Sequence, residues 1–377
     1  MNMELNKNNV SKALAEVLYP GNAKDIISLE MIENLQIEGK KVSFDLVFEK
    51  DTDPFIASMK KACVKILESA FGEDNIEIKG NVQAKSKAIT KEAEIHAGQP
   101  ETGTKQVKNM IAVASGKGGV GKSTVAVNMA IALAQHGYKV GLLDADIFGP
   151  SIPKMFGLEN EKPRGKQENG KEWILPMEKF GVKMLSIGFF VDPDSALVWR
   201  GAMATNALKQ LINDAAWGEL DYLIFDLPPG TSDIHLTLVQ TVSVTGAVIV
   251  STPQEVALAD ARKGISMFKT KGIDVPILGL IENMSWFTPE ELPNNKYYLF
   301  GKDGCKKLSA EMNIPLLGQI PLVQSIREGG DEGKPASMKL NSITGKAFEK
   351  AAIAMIEQVD VRNKTMDPTK VVEIKHK

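Results

Sequence analysis

Two cysteines, Cys63 and Cys305, are all that this 377-residue chain contains. So few exclude a disulfide framework, and they exclude a four-cysteine metal site within a single chain. Histidine is also scarce: His96, His136, His235 and His376 are the only four, they show no ligand spacing, and each reads as a surface or helix-end residue. An excess of either charge is missing too. With 45 basic against 47 acidic side chains and a net charge of −2, no global positive field draws the chain to nucleic acid or to an acidic membrane. No apolar run reaches the roughly 18 residues of a membrane span, and the opening MNMELNKNNV lacks the apolar core of a signal peptide. The expectation is a cytoplasmic protein with neither a nucleic-acid partner nor a stable membrane association.

What is present is ordinary for a globular chain, 43% hydrophobic and 24% charged, and at about 100–200 residues per domain two domains are expected. Residues 1–82 read as a small α/β domain. Val10, Leu14, Val17 and Leu18 recur at helical spacing, Leu35 and Ile37 lead through Glu38-Gly39-Lys40 into the alternation Val42, Phe44, Leu46, Phe48, and a second helix from Pro54 to about Phe71 carries Ile56, Met59, Cys63, Ile66 and Leu67 on one face. Residues 83–106 are polar, without aromatics and rich in turn formers, so they are expected to be a linker. From 107 to 359 short apolar runs alternate with helical patterns: MIAVAS, VGLLDAD, DYLIFD, GAVIVS, ILGLIEN and LLGQIPL. Runs apolar on every position are those of strands covered on both faces, so this domain is expected to be doubly wound α/β with a mostly parallel sheet. Residues 360–377 form a polar tail without strong signals.

VASGKGGVGKST, residues 113–124, fills the pattern G-x-x-x-x-G-K-[ST] between a strand and a helix. Glycines let backbone N–H groups turn onto phosphate oxygens, and the helix N-terminus adds positive potential. Lys122 is placed to neutralise the β- and γ-phosphates, Ser123 to hold Mg²⁺, and Thr124 to touch the α-phosphate. Asp226 ends a strand in YLIFDLPPGTSD as a Walker B carboxylate on Mg²⁺ would, with Gly230 in the following loop. Asp144 and Asp146 end another strand. Aspartates at strand ends can be helix caps, yet three strand ends converging on one phosphate loop favour a site, because ligands in such sheets bind at strand C-termini.

One residue exceeds the pattern: Lys117, directly after Gly116. The loop Lys117-Gly118-Gly119-Val120-Gly121-Lys122-Ser123 resembles that of the deviant Walker A ATPases. The resemblance implies that Lys117 reaches across a homodimer to the partner's nucleotide, as an arginine finger does. LLDADIFGPSIPKMFGL, WRGAMATNALKQL, STPQEVALADARK and IENMSWF narrow it to the Mrp (ApbC-type) branch, the iron–sulfur carrier ATPases, from about Lys108 to Ala351, with residues 1–82 similar to the small iron–sulfur-assembly module that often precedes it. By position the resemblance makes Asp146 the water-activating switch I aspartate and Asp144 its companion. It makes Asp226 and Asp233 the Walker B and switch II acids, and Asn283 the amide that reads the adenine edge, for which a donor and an acceptor together are suited. It implies ATP and Mg²⁺ as cofactors, and iron–sulfur scaffold or client apoproteins as partners.

The chain departs from that family where a C-x-x-C pair is usual: NMSWFTPEELPNNKYYLFG holds no cysteine. The module's usual cysteine before proline is Asp53 here. Cys63 reads as a core residue, and Cys305 as either a core residue or a dimer-face thiol activated by Lys306 and Lys307. An iron–sulfur cluster would thus need ligands such as Glu290 and Glu291, which as hard oxygens suit it poorly. The reading is an ATP-hydrolysing homodimer serving iron–sulfur cluster assembly or transfer. The alternative is a spatial organiser of the Min/Par type on membrane or DNA.

Overall fold

A computed structural model of the chain describes residues 5–17, 25–29, 31–48, 56–72, 77–84, 102–147, 149–168, 170–190, 201–289 and 291–372. Asp53, Pro54, residues 85–101 of the expected linker, His96, His376 and Glu290 lie outside them. The chain divides into two units, Met1–Ala97 and Gly98–Lys377.

In the first unit α1 (Lys7–Leu14) starts where the Asn6 side chain accepts from the Asn9 N–H at 2.9 Å, and it buries Val10, Ala13 and Leu14. Strands β1 (Ile32–Glu38) and β2 (Lys41–Phe48) form an antiparallel hairpin turning at Gly39, whose φ of 60° suits glycine. Helix α2 (Ile56–Phe71) then leads to β3 (Glu77–Ala84), which pairs parallel to β2. Met59, Cys63 and Leu67 of α2 meet Phe44, Leu46 and Phe48 in one core, so the helical and alternating periods of the sequence face each other.

The second unit begins with β4 (Val107–Ser115), α3 (Lys122–Gln135), β5 (Val140–Asp144) and a short α4 (Ile152–Phe156). A ribbon of β6 (Gly165–Glu168) and β7 (Lys171–Ile174) follows, then β8 (Met177–Lys179), β9 (Val182–Ser186) and α5 (Gly201–Asn213). The remaining elements are β10 (Leu220–Asp226), α6 (Asp233–Thr241), β11 (Gly246–Ser251), α7 (Glu255–Phe268), β12 (Ile277–Glu282), α8 (Gly304–Met312), β13 (Leu316–Gln319), α9 (Gln324–Asp331) and α10 (Ile343–Thr365).

An eight-stranded sheet runs β13-β12-β11-β4-β10-β5-β9-β8, parallel throughout except for β8 against β9. Its central strands are apolar at every position because successive residues serve opposite cores. Ala112, Leu143, Leu223 and Ile249 face one side with Leu208 of α5, Leu238 of α6 and Ile265 of α7. Ile111, Leu142, Ile224 and Val248 face the other with Met129 of α3 and Phe348 and Met355 of α10. The six strands read from the sequence are all present. The pair β8–β9 was not read, because VKMLS is too short and too polar at Lys183 to stand out.

Three expected domain limits move. Strand β3 runs to Ala84, past residue 82. The last linker residues belong to the second unit: Gly103 N–H donates to the Asn213 carbonyl at 2.9 Å and Thr104 is buried. Helix α10 passes residue 359 and stops at Thr365, because Arg362 is buried there and hydrogen-bonds the chain beyond, where Val372 N–H reaches the Val239 carbonyl at 2.9 Å. A polar helix end tied by hydrogen bonds has no apolar period to reveal it. Among the described residues no helix is long and apolar enough to cross a membrane.

Candidate functional site

Strand β10 lies between β4 and β5 in a register that sets Asp226 beside both Val113 and Asp144. The two strand-end carboxylates therefore adjoin the loop that leaves β4. In that loop Gly119 and Gly121 both take φ of 80°, outside the range of ordinary side chains. Gly116 is needed for a different reason, since a Cβ there would strike the backbone of Asp260 and Ala261 in α7. Val120 plugs the loop into the core. The loop encloses a cavity of about 220 Å³ lined by Lys117, Gly118, Lys122, Ser123, Thr124 and Asp146, among others.

Lys122 is buried and its Nζ sits 2.7 Å from Asp226 Oδ1, 3.8 Å from Asp146 Oδ2 and 3.1 Å from Ser123 Oγ. Asp226 is fully buried, and burial raises its pKa against the opposing pull of Lys122 and the Ser123 hydroxyl. Its Oδ2 has no hydrogen-bond partner among the described residues. A carboxylate with one oxygen unspent, next to a serine hydroxyl, is a donor set that suits Mg²⁺.

Asp144 and Asp146 separate in role. Asp146 lines the cavity. Asp144 does not reach it: Oδ1 accepts from Asp146 N–H at 3.1 Å, and Oδ2 accepts from Ser186 Oγ at 2.9 Å and Ile152 N–H at 3.3 Å. Burial, with the neighbouring Asp226 charge, pushes Asp144 up to about 8. Geometrically it holds the loop that carries Asp146. Ser186, at the end of β9, had no signal in the sequence.

Asn283, expected to read the adenine edge, lies against the phosphate loop. Its Nδ2 donates to the Val120 carbonyl at 2.8 Å, and a Cβ on Gly121 would strike it. In this structure it braces the phosphate loop. Asp233 is exposed in the first turn of α6 and is not among the residues lining the cavity; there its charge meets the helix dipole. Gly230 N–H donates to the Ser115 carbonyl at 2.9 Å, tying the loop after β10 to the end of β4. Lys117 is half-buried on the cavity wall, with its carbonyl accepting from Ser115 Oγ at 3.0 Å. Its side chain forms no ion pair among the described residues, unlike Lys122.

Both thiols are free and buried. Cys63 is fully buried in the first unit, and burial pushes its thiol up to about 11. Cys305 is fully buried in the second, its thiol raised by burial and then by the Glu282 carboxylate, which accepts from Cys305 N–H at 2.7 Å. Of the two readings left open for Cys305, its burial favours the core residue, and Lys306 and Lys307 beside it are exposed. Glu291 is exposed, and among the described residues no group of three or more His, Cys, Asp or Glu side chains converges to hold a metal ion. His136 ends α3 near Glu349 as expected, but His235 is buried: its Nδ1 accepts from Ser232 N–H at 3.2 Å, and burial lowers its pKa to about 4.

A glycine loop between a central strand and a helix, with a helix-start lysine set against a strand-end aspartate, defines a P-loop nucleotide-binding protein. Its second loop lysine marks a subclass. The chain belongs to the NUBPL iron-transfer P-loop NTPase family, whose model matches residues 106–358. A model described as iron-sulfur cluster assembly protein matches residues 7–79. The chain is 44% identical over 351 residues to the iron-sulfur cluster carrier protein of Synechocystis, covering 93% of this chain and 96% of the relative. It is 42% identical over 318 residues to the iron-sulfur cluster transfer protein NUBPL of Dictyostelium discoideum, covering 83% and 94%. Among solved structures, the nucleotide-binding protein from Archaeoglobus fulgidus in complex with ADP matches at a TM-score of 0.55 and 37% identity, over 65% of this chain and 93% of that one.

Proposed function

We propose that this chain is a cytoplasmic Mg²⁺-dependent ATPase that works as a homodimer in iron–sulfur cluster assembly or in transfer of clusters to apoproteins. The observation that carries the ATPase part is the buried Lys122–Asp226 pair beneath the loop, with Asp226 Oδ2 unspent. Family membership carries the iron–sulfur part and favours it over a spatial organiser. The ADP in the Archaeoglobus fulgidus protein supports adenine as the base.

When nucleotide enters, Lys122 exchanges Asp226 for the β- and γ-phosphate oxygens. Ser123 and the freed Asp226 would hold Mg²⁺, which supplies positive charge beside those oxygens. The Asp146 carboxylate accepts the proton of the attacking water, and Asp144 is a positioning residue that fixes Asp146 through its backbone N–H. Lys117 has no carboxylate partner among the described residues and brings its charge to the partner's transferring phosphoryl group. The Gly230–Ser115 hydrogen bond lets the loop after β10 follow the γ-phosphate, so that binding closes the dimer and hydrolysis releases it.

Asp146→Asn tests this scheme. The variant is expected to bind ATP normally and to accumulate a closed dimer, measured by light scattering after gel filtration with Mg-ATP. Equal dimer levels in variant and wild type under limiting turnover would remove Asp146 from the catalytic role.

Cluster carriage follows different chemistry. A four-iron cluster usually takes four thiolates, and both thiols here are fully buried in separate units. The donor set does not fit a stable cluster of that kind, so carriage is expected to be weak, labile or delegated to a partner. Anaerobic reconstitution with iron and sulfide should leave much less than four irons per dimer after chromatography. A stable holo-dimer with about four irons, lost in Cys305→Ser, would make Cys305 a ligand and overturn the expectation.

A further inference from the structure

The end of the sheet opposite the phosphate loop holds a positive charge that the described chain leaves without a counter-ion. Arg362, in the last turn of α10, is 8% exposed. Its partners among the described residues are all neutral: the Asn363 side-chain oxygen at 3.1 Å, the Asp367 carbonyl at 2.8 Å and the Thr369 hydroxyl at 2.6 Å. Its Nε–H has no acceptor among the described residues. Buried charges are ordinarily paired, because the desolvation of a guanidinium is only partly offset by neutral oxygens. Consistent with that, burial lowers the pKa of Arg362.

Two cavities flank this side chain, and their linings differ in charge. One, of about 390 Å³, is lined by Asp274 and Asp367 as well as Arg362. The other, of about 330 Å³, lies between the start of β4, the entrance to β11 and the end of α10, and none of the described residues lining it is acidic. Around Arg362 it presents Lys108, Asn363 and Thr369 as donors, and Met110 and Met366 as apolar wall. Lys108 shares its charge with Asp221 at 2.8 Å, which leaves Arg362 as the cation to be met.

We propose that the second cavity binds a small organic anion, its carboxylate on the Arg362 guanidinium and its apolar body against Met110 and Met366. This site is independent of the nucleotide reading, since it stands at the other ends of the same strands. A carboxylate there forms charge-assisted hydrogen bonds that an isosteric amide cannot match.

The test uses the full-length protein with ¹³C-methyl-labelled methionine, in excess Mg-ADP so that the phosphate loop is not open to anions. Sodium butyrate is titrated in, and the Met110 and Met366 methyl resonances, assigned with Met110→Leu and Met366→Leu, are followed. They are expected to shift saturably. Butyramide, of the same shape without the charge, should bind at least about tenfold more weakly, and Arg362→Gln should weaken butyrate by at least about tenfold while Arg362→Lys retains part of the affinity. No saturable shift, or equal affinity for butyramide, would overturn the proposal on the wild-type protein alone, whether or not the variants fold. Unchanged butyrate affinity in a folded Arg362→Gln would overturn it too, and tighter binding of inorganic phosphate than of butyrate would overturn the organic assignment.

Discussion

Lys122→Ala is expected to lower affinity for Mg-ATP by at least about a hundredfold, since charge-assisted hydrogen bonds to phosphate are among the strongest a side chain makes and no other loop residue can present that charge from the helix start. Lys117 is on the cavity wall, but its backbone carbonyl is fixed by Ser115 and it leaves from the other end of the loop. A second effect appears without nucleotide. Asp226 is fully buried with Lys122 at 2.7 Å, and removing one member of a buried pair costs about 3–5 kcal/mol, a figure lowered here to the extent that Asp226 takes up a proton. Urea denaturation of the apoprotein should show this loss. Lys122→Ala combined with Asp226→Asn should recover most of the stability and none of the binding, because the buried charge is gone while the phosphate is still unmet. If the double variant is no more stable than the single one, the pair is not what holds this part of the fold.

Lys117→Ala should act on turnover instead. Its side chain is half-buried on the wall of the nucleotide cavity without an ion pair among the described residues, so its removal strands no partner and changes stability little. ATP affinity is expected to stay within a few-fold of wild type. The hydrolysis rate should fall by about a thousandfold, the scale at which a positive charge supplied in trans stabilises phosphoryl transfer, and ATP-dependent dimerisation should be lost with it. Lys117→Arg is expected to fail as well, since the longer planar fork does not replace a point charge at a fixed reach. A Lys117→Ala protein that hydrolyses ATP at the wild-type rate would end the trans-lysine idea and leave Lys117 as a solvated loop residue.

The site was legible where a residue type is dictated by its own backbone. Gly119 and Gly121 must be glycine because φ is 80° at both, and Lys122 and Ser123 follow because the helix begins there. Strand-end aspartates could be read as a group but not told apart. Whether Asp144 or Asp146 faces the cavity depends on Ser186 from β9 and Ile152 from α4, residues that come from elements with no sequence signal. Asn283 shows the same limit: its contact with Val120 joins residues 163 positions apart. Cys305 was left open between core and interface, and its burial was decided by Glu282 and Thr252, both distant in sequence.

Sequence alone determined the six apolar strands of the large sheet and where the phosphate loop lies, because strand periods, glycine conformations and the strand–loop–helix order are local properties of the chain. It also bounded the cluster chemistry, since one chain with two cysteines cannot supply four thiolates by itself. The tertiary structure decided what each polar side chain faces. Lys122 against Asp226, Asp144 turned inward to hold Asp146, both thiols sealed from solvent and Arg362 buried among neutral oxygens all arise where distant strands and helices are brought together. Burial and pairing set charge, reactivity and metal fit, and neither exists until the sheet has assembled.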